Sequence, residues 1–165
     1  MTQQEVFFNE NILKGRIAET ITEQLFTSLG YEVYRYGMET QIPSIMPKLK
    51  EIEPNEIIYE IRKTPDFIVL HSKSRKIHYL EVKFRKSGEF DYNSIGGEDY
   101  PYKNTMFIIF SKNDIKCISY SELKDGYKVS PETEDYLLEN NSEIFTDSHI
   151  LGVFRKLALK YFKCV

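Results

Sequence analysis

Three side chains carry the chemistry that stands out in this chain: Asp66, Glu81 and Lys83. They lie within TPDFIVLHSKSRKIHYLEVKFR, from Thr64 to Arg85, which reads as two β-strands joined by the polar turn SKSR. Side chains alternate faces along a strand, so Glu81 and Lys83 project together while Leu80, Val82 and Phe84 point the other way. A carboxylate and an amine on an otherwise apolar strand are costly to bury unpaired. A hard divalent cation accounts for them. Two carboxylates with waters are an ordinary Mg²⁺ site, and Mg²⁺ favours phosphate as a co-ligand. Such an ion acidifies a bound water and offsets charge building on a phosphodiester. Lys83 is then placed to orient or deprotonate the attacking water, or to stabilise an oxyanion, and a neighbouring cation is expected to lower its pKa.

The elements that must position these groups follow from periodicity. Residues 4 to 29 form an expected amphipathic helix, with Leu13, Ile17, Ile21, Leu25 and Leu29 recurring every four residues and Gly30 as its stop. Glu19 falls on the border of that stripe, from which a carboxylate can reach what the helix covers. Tyr31 to Tyr36 reads as a strand, 37 to 47 as a loop, and 48 to 63 as ambiguous, with a short helix after Pro54 one option. The two central strands span roughly Asp66–His71 and Lys76–Arg85. Ser87 to Asn104 is a long irregular segment bearing Tyr92, Tyr100 and Tyr102. The apolar run Thr105–Phe110 predicts a strand buried on both faces, followed by a neighbour at Ile115–Tyr120. A short hairpin element over 125–130, a helix from Pro131 through PETEDYLLEN and a helix over 147–162 complete the expectation, the last with Ile150, Val153, Phe154, Leu157, Leu159 and Phe162 as its inner face.

Pro65-Asp66 followed by Glu81-Val82-Lys83 resembles the signature of the PD-(D/E)XK, or restriction-endonuclease-like, nuclease superfamily. The upstream KGRIAETITEQLFTSLGYEVYRY, Lys14 to Tyr36, is similar to the opening helix and first strand of archaeal-type Holliday junction resolvases in that superfamily, whose Gly-x-x-x-Glu stretch matches Gly15 to Glu19 here. The resemblance implies an α/β fold, a three-layer core with a central mixed sheet flanked by helices and element order αβββαβ. It also implies Mg²⁺ or Mn²⁺ held by Asp66, Glu81, the Val82 backbone carbonyl and Glu19, with Lys83 the catalytic lysine. The irregular 87–104 segment departs from the regular helix that the family has after its third strand.

The implied activity is metal-dependent hydrolysis of DNA phosphodiester bonds, in repair, recombination, restriction or a mobile element. The other expectation is a catalytically inactive nuclease fold acting as a binding or assembly module. Net charge is −3, yet Arg62 to Lys86 holds eight basic and two acidic residues, while Ser121 to His149 holds two basic and eight acidic. The basic segment attracts phosphate over the short screened range of surface charges, with Lys14, Arg16, Arg85 and Lys86 the expected nucleic-acid contacts. The acidic C-terminal third is the expected surface for a homodimer or a protein partner.

With 165 residues, 41% hydrophobic and 28% charged, the chain fits one nuclease-like domain over 1–165, with an insertion at 37–63 and a C-terminal extension at 121–165. No apolar run long enough for a membrane and no signal-peptide pattern occur, and Cys117 and Cys164 lack metal-ligand spacing. Cytoplasmic placement without a membrane partner is the expectation, and Cys117 is expected in the core.

Overall fold

The computed structural model describes residues 3–49 and 51–163. The four-residue apolar spacing at the N-terminus produces helix α1, Gln3–Ser28, which buries Ala18, Ile21, Leu25 and Phe26. Gly30 ends it at φ 87°, a backbone conformation that glycine adopts without a Cβ clash. Strands β1 (Tyr31–Arg35), β2 (Phe67–His71), β3 (Ile77–Phe84), β4 (Thr105–Phe110) and β5 (Ile115–Ser119) form one sheet in the order β1-β2-β3-β4-β5. The β3–β4 pair is parallel and the other three are antiparallel, so the sheet is mixed.

Alternation divides the sheet's side chains between two cores. Phe67, Val69, Leu80, Val82, Ile108 and Phe110 join the face covered by α1 and by α6, Ser148–Phe162. Phe107, Ile109 and Ile118 join the opposite face, with Phe90, Ile95, Tyr100 and Leu123. The chain is therefore α/β, a five-stranded mixed sheet flanked by helices. Cys117 is buried in the first core, as expected.

A parallel pair needs a crossover, which is usually helical. Here residues 85–104 cross with only two 3₁₀ turns, Asn93–Ile95 and Gly97–Asp99. Tyr92, Tyr100 and Tyr102 fasten this segment by ring contacts, Tyr100 onto Phe107 at 5.5 Å and Tyr92 onto Tyr120 at 5.9 Å. The irregular segment is thus held by aromatic burial in place of helical hydrogen bonding.

Several expectations are corrected. The 37–47 loop contains α2, Met38–Gln41, and the start of α3, Ile45–Leu49; both are single turns too short to show periodicity. The ambiguous stretch holds α4, Glu56–Arg62, N-capped by the Asn55 side chain accepting from the Ile58 amide. The last strand stops at Ser119, because Ser119 and Glu122 form a capping box that starts α5, Tyr120–Lys124. Val129 makes an isolated antiparallel bridge with Phe90, not a hairpin with its neighbours. No helix begins at Pro131; Glu134–Tyr136 and Leu138–Asn140 are 3₁₀ turns separated by extended Leu137, which bridges to Lys116 of β5. Leu13 is 58% exposed, and Val153 and Leu157 are exposed too, so α6 buries Leu151, Ala158 and Phe162. Among the described residues, no helix is long and apolar enough to cross a membrane.

Candidate active site

Strands β2 and β3 are paired from Phe67↔Leu80 onward, which sets Asp66 beside Glu81 where the two strands part. The Val82 backbone N–H donates to Asp66 Oδ2 at 2.7 Å, so the carboxylate supplies an acceptor that the departing chain does not. Glu81 and Lys83 project to the same face, opposite Phe107 and Ile109 of β4, and their side chains form an ion pair.

These groups line a cleft of about 640 Å³. Its acidic floor is Asp66 and Glu81. Lys14, Arg35, Arg62, Lys83, Arg85 and Lys86 supply positive charge, and Glu19 enters from α1. The sequence thus brings Glu19, Asp66, Glu81, Val82, Lys83, Lys14, Arg85 and Lys86 into one concavity. It does not bring Arg16, which lines a separate apolar groove with Leu13, Ile17 and Tyr161. His71 lies in the last position of β2 and His78 near the start of β3, both at the far end of the sheet from Asp66. His71 Nδ1 accepts from the Ser74 amide at 3.0 Å, a turn-fixing role.

Arg35 and Arg62 were not singled out by their sequence surroundings. Arg35 closes β1 and bridges α1, with Nη2 2.5 Å from Glu23 Oε2 and Nη1 3.6 Å from Glu19 Oε2. Its guanidinium lies 5.4 Å from the Phe67 ring centroid. Arg62 donates to the Leu49 carbonyl at 2.9 Å, tying α4 to α3. The usable signal for Arg35 was its face: it shares the strand side of Tyr31 and Val33, which pack against the helical core.

Electrostatics single out Glu81. Its side chain is only 12% exposed, and burial pushes its carboxyl up to about 7, with Lys83 opposing and the Asp66 charge adding to the rise. Its Oε2 is buried and has no hydrogen-bond partner among the described residues. Burial pulls Lys83 down, but the Glu81 and Asp66 carboxylates outweigh it and hold the ammonium above its ordinary value. The expected lowering belongs to a site containing a cation; with the carboxylates alone the sign reverses. Lys63, at the end of α4, is lowered first by burial and then by the Lys83 charge, and its Nζ donates to the Ile95 carbonyl at 3.1 Å.

The donor chemistry fits a hard cation. A buried carboxylate oxygen lacking a donor, next to a second carboxylate, is a position where a cation replaces a proton. Among the described residues, no three His, Cys, Asp or Glu side chains form a ready-made cage, and Glu19 is engaged by Arg35. The fit is that of Mg²⁺, which is bound through one or two carboxylates and keeps several waters.

The sequence matches no protein-family model and no curated protein.

Proposed function

We propose that the chain is a metal-dependent nuclease of restriction-endonuclease-like architecture that hydrolyses DNA phosphodiester bonds. The observation that carries this reading is the pairing of Asp66 with Glu81, whose buried Oε2 has no hydrogen-bond partner among the described residues, in a cleft otherwise rich in positive charge. The order α1, β1, β2, β3, crossover, β4 is compatible with the core that the resemblance implies, with α2 to α4 inserted after β1 and two 3₁₀ turns where the family has a helix.

In this reading Asp66 and Glu81 hold Mg²⁺ or Mn²⁺, with the Val82 carbonyl implied by the resemblance as a further oxygen. The bound ion supplies charge neutralisation at the phosphate and a more acidic water. The chain's own residues do the rest. Asp66 is oriented by the Val82 amide, so its position is set by the strand and not by a flexible loop. Lys83, a third exposed and held protonated by two carboxylates, offers a cation to the charge that builds on the phosphate. Glu19, steered by Arg35, is an accessory carboxylate in the wall. Lys14, Arg62, Arg85 and Lys86 hold the phosphate backbone.

Incubating the protein with supercoiled and branched DNA in Mg²⁺ or Mn²⁺ tests the proposal. Cleavage is expected from the unaltered protein and is lost in Asp66→Asn and Lys83→Ala. Cleavage undiminished in both variants would overturn it. DNA binding with no cleavage under any metal would leave a nuclease fold that serves as a binding module.

A further inference from the structure

The C-terminal helix carries a charge pattern that the acidic count of the preceding segment conceals. From Ser148 to Lys163 it has Arg155, Lys156, Lys160 and Lys163 and no acidic residue. Lys156, Lys160 and Lys163 are spaced i, i+4, i+7, which places them along one side of α6. All three are exposed. Lys112, in the turn between β4 and β5, joins them around a shallow concavity of about 290 Å³ together with Asn113 and Leu159.

Two ordinary explanations leave part of this arrangement unaccounted for. Cations in the last turn of a helix complement its dipole, which covers Lys160 and Lys163. It does not cover Lys156, nearly two turns earlier, or Lys112 on another element. Ion pairs occur elsewhere on this surface, Arg155 with Glu139, Arg75 with Glu32, Lys76 with Glu143 and Lys124 with Glu98. But Lys73, Lys103 and Lys128 also have none among the described residues, so what sets Lys112, Lys156, Lys160 and Lys163 apart is that they gather around one concavity. Among the described residues, no carboxylate lies within ion-pair distance of Lys112, Lys156, Lys160 or Lys163. Four like charges gathered from two elements repel one another until an external anion offsets them.

Their place in the fold says which anion. The Arg85 amide donates to the Phe110 carbonyl at 2.8 Å, so the cleft rim and the turn bearing Lys112 are adjacent ends of β3 and β4. Phe162, next to Lys163, stacks on Phe84 at 4.9 Å and contacts Phe110 at 5.6 Å. Lys14 lies over the other neighbour of this cluster, its Nζ 5.8 Å from the Phe84 ring centroid. Positive charge therefore continues from Lys14, Arg85 and Lys86 across one aromatic cluster to Lys112 and α6. Lys156 to Lys163 spans about 10.5 Å of helix, a distance over which one strand of duplex carries about three phosphates.

We propose that Lys112, Lys156, Lys160 and Lys163 form a second phosphate-binding surface, which grips the duplex nucleic acid that extends beyond the cleft. The inference rests on the nuclease reading for the identity of the ligand, but the surface binds duplex whether or not the centre cleaves it.

The test is equilibrium binding of the full chain in EDTA to a labelled duplex of about 30 base pairs across a salt series, so that no cleavage intervenes. The variant K112Q/K156Q/K160Q/K163Q is expected to bind more than about a hundredfold more weakly near 0.1 M salt, with the slope of log K against log salt smaller by about 3. The matching variant with arginine at all four positions keeps the wild-type slope, which separates lost charge from lost folding. An unchanged slope in the glutamine variant overturns the proposal. So does binding of vesicles containing about 30% anionic lipid by the wild type with no affinity for the duplex, since the surface would then serve a membrane. Metal-dependent cleavage by the wild type is scored separately. Cleavage with an unchanged glutamine-variant slope removes this surface and leaves the nuclease reading. No cleavage with a reduced slope does the reverse.

Discussion

The Val82 amide donates to Asp66 Oδ2 at 2.7 Å, across the point where β2 and β3 separate. One carboxylate thus ends a strand pairing and belongs to the candidate metal centre. These roles can be separated chemically. Asparagine keeps a carbonyl acceptor for the Val82 N–H but gives up the charge. Alanine leaves the amide without its partner, at about 1–3 kcal/mol. Asp66→Asn is expected to keep a near-wild-type melting temperature while cutting metal-dependent cleavage more than about a hundredfold, beyond the loss typical of outer-sphere partners. Asp66→Ala is expected to lose both. Thermal unfolding and single-turnover cleavage measure the two effects; equal destabilisation by the two variants would show that the hydrogen bond contributes nothing.

Glu81 predicts a pH dependence with a definite sign. Burial pushes its folded carboxyl up to about 7 from the ordinary 4.5, partly opposed by Lys83 and reinforced by the Asp66 charge. A group that binds its proton more tightly when folded stabilises fully below the unfolded pKa and loses that contribution as pH rises through the folded one. In EDTA, wild-type stability should therefore fall between about pH 5 and pH 8 relative to Glu81→Gln, which has nothing to ionise there. The difference should reach about 1–3 kcal/mol in favour of the variant at pH 8 and vanish only below about pH 4.5. Adding Mg²⁺ at pH 8 should restabilise the wild type and not the variant, because only a ligand-competent folded state gains from binding. Melting curves that run parallel for the two proteins across this range would contradict the assignment.

Gly96 sits where α4 meets the crossover. Its φ is 96°, and a Cβ there would lie 2.4 Å from Tyr59 Oη and 3.8 Å from Lys63 Nζ. Tyr59 lies on α4 and Lys63 caps its C-terminal end, which delivers Arg62 and Thr64 to the cleft. Gly96→Ala is expected to cost about 1–3 kcal/mol in backbone strain alone and to weaken substrate binding by displacing α4. Adding Tyr59→Phe removes the hydroxyl and should recover only the steric part of the loss. Full recovery in the double variant would mean that the backbone conformation costs nothing, contrary to the positive φ.

The legibility of this fold followed the length of each pattern. Helix α1 and strands β2, β3 and β4 were readable because their apolar positions repeat over five or more residues against a large core. Helices α2 and α3 were not, since four or five residues hold about one turn. PETEDYLLEN reads as a helix by composition, but Leu137 must be extended to bridge Lys116 while Leu138 turns into the core, and tertiary contact outweighs propensity. At the candidate site, Asp66, Glu81 and Lys83 were legible through strand alternation. Arg35 and Arg62 reach the same cleft from elements separated in sequence, which no local spacing records. The lysine stripe of α6 was present in the sequence but lies beyond Ser121–His149, the segment whose acidic excess stood for the whole C-terminal third.

Lys116 closes the sheet's edge at β5. It lies on β5, the final strand, with its side chain only 2% exposed. Its Nζ donates to the Ser130 carbonyl at 2.6 Å and the Pro131 carbonyl at 3.2 Å, and lies 3.5 Å from Asp114 Oδ2. Through these bonds, and the bridge to Leu137, the 130–140 segment covers an edge that would otherwise offer unpaired backbone groups to another chain. Lys116→Met preserves most of the volume but strips two carbonyls of their donor and Asp114 of its cation. The loss should be about 2–5 kcal/mol, the range for a broken buried charge network. Amide exchange should accelerate across 130–140 and at β5, while α1, β1 and β2 keep their protection relative to global stability. Uniform acceleration over all elements would show that Lys116 supports the fold as a whole and does not specifically seal its edge.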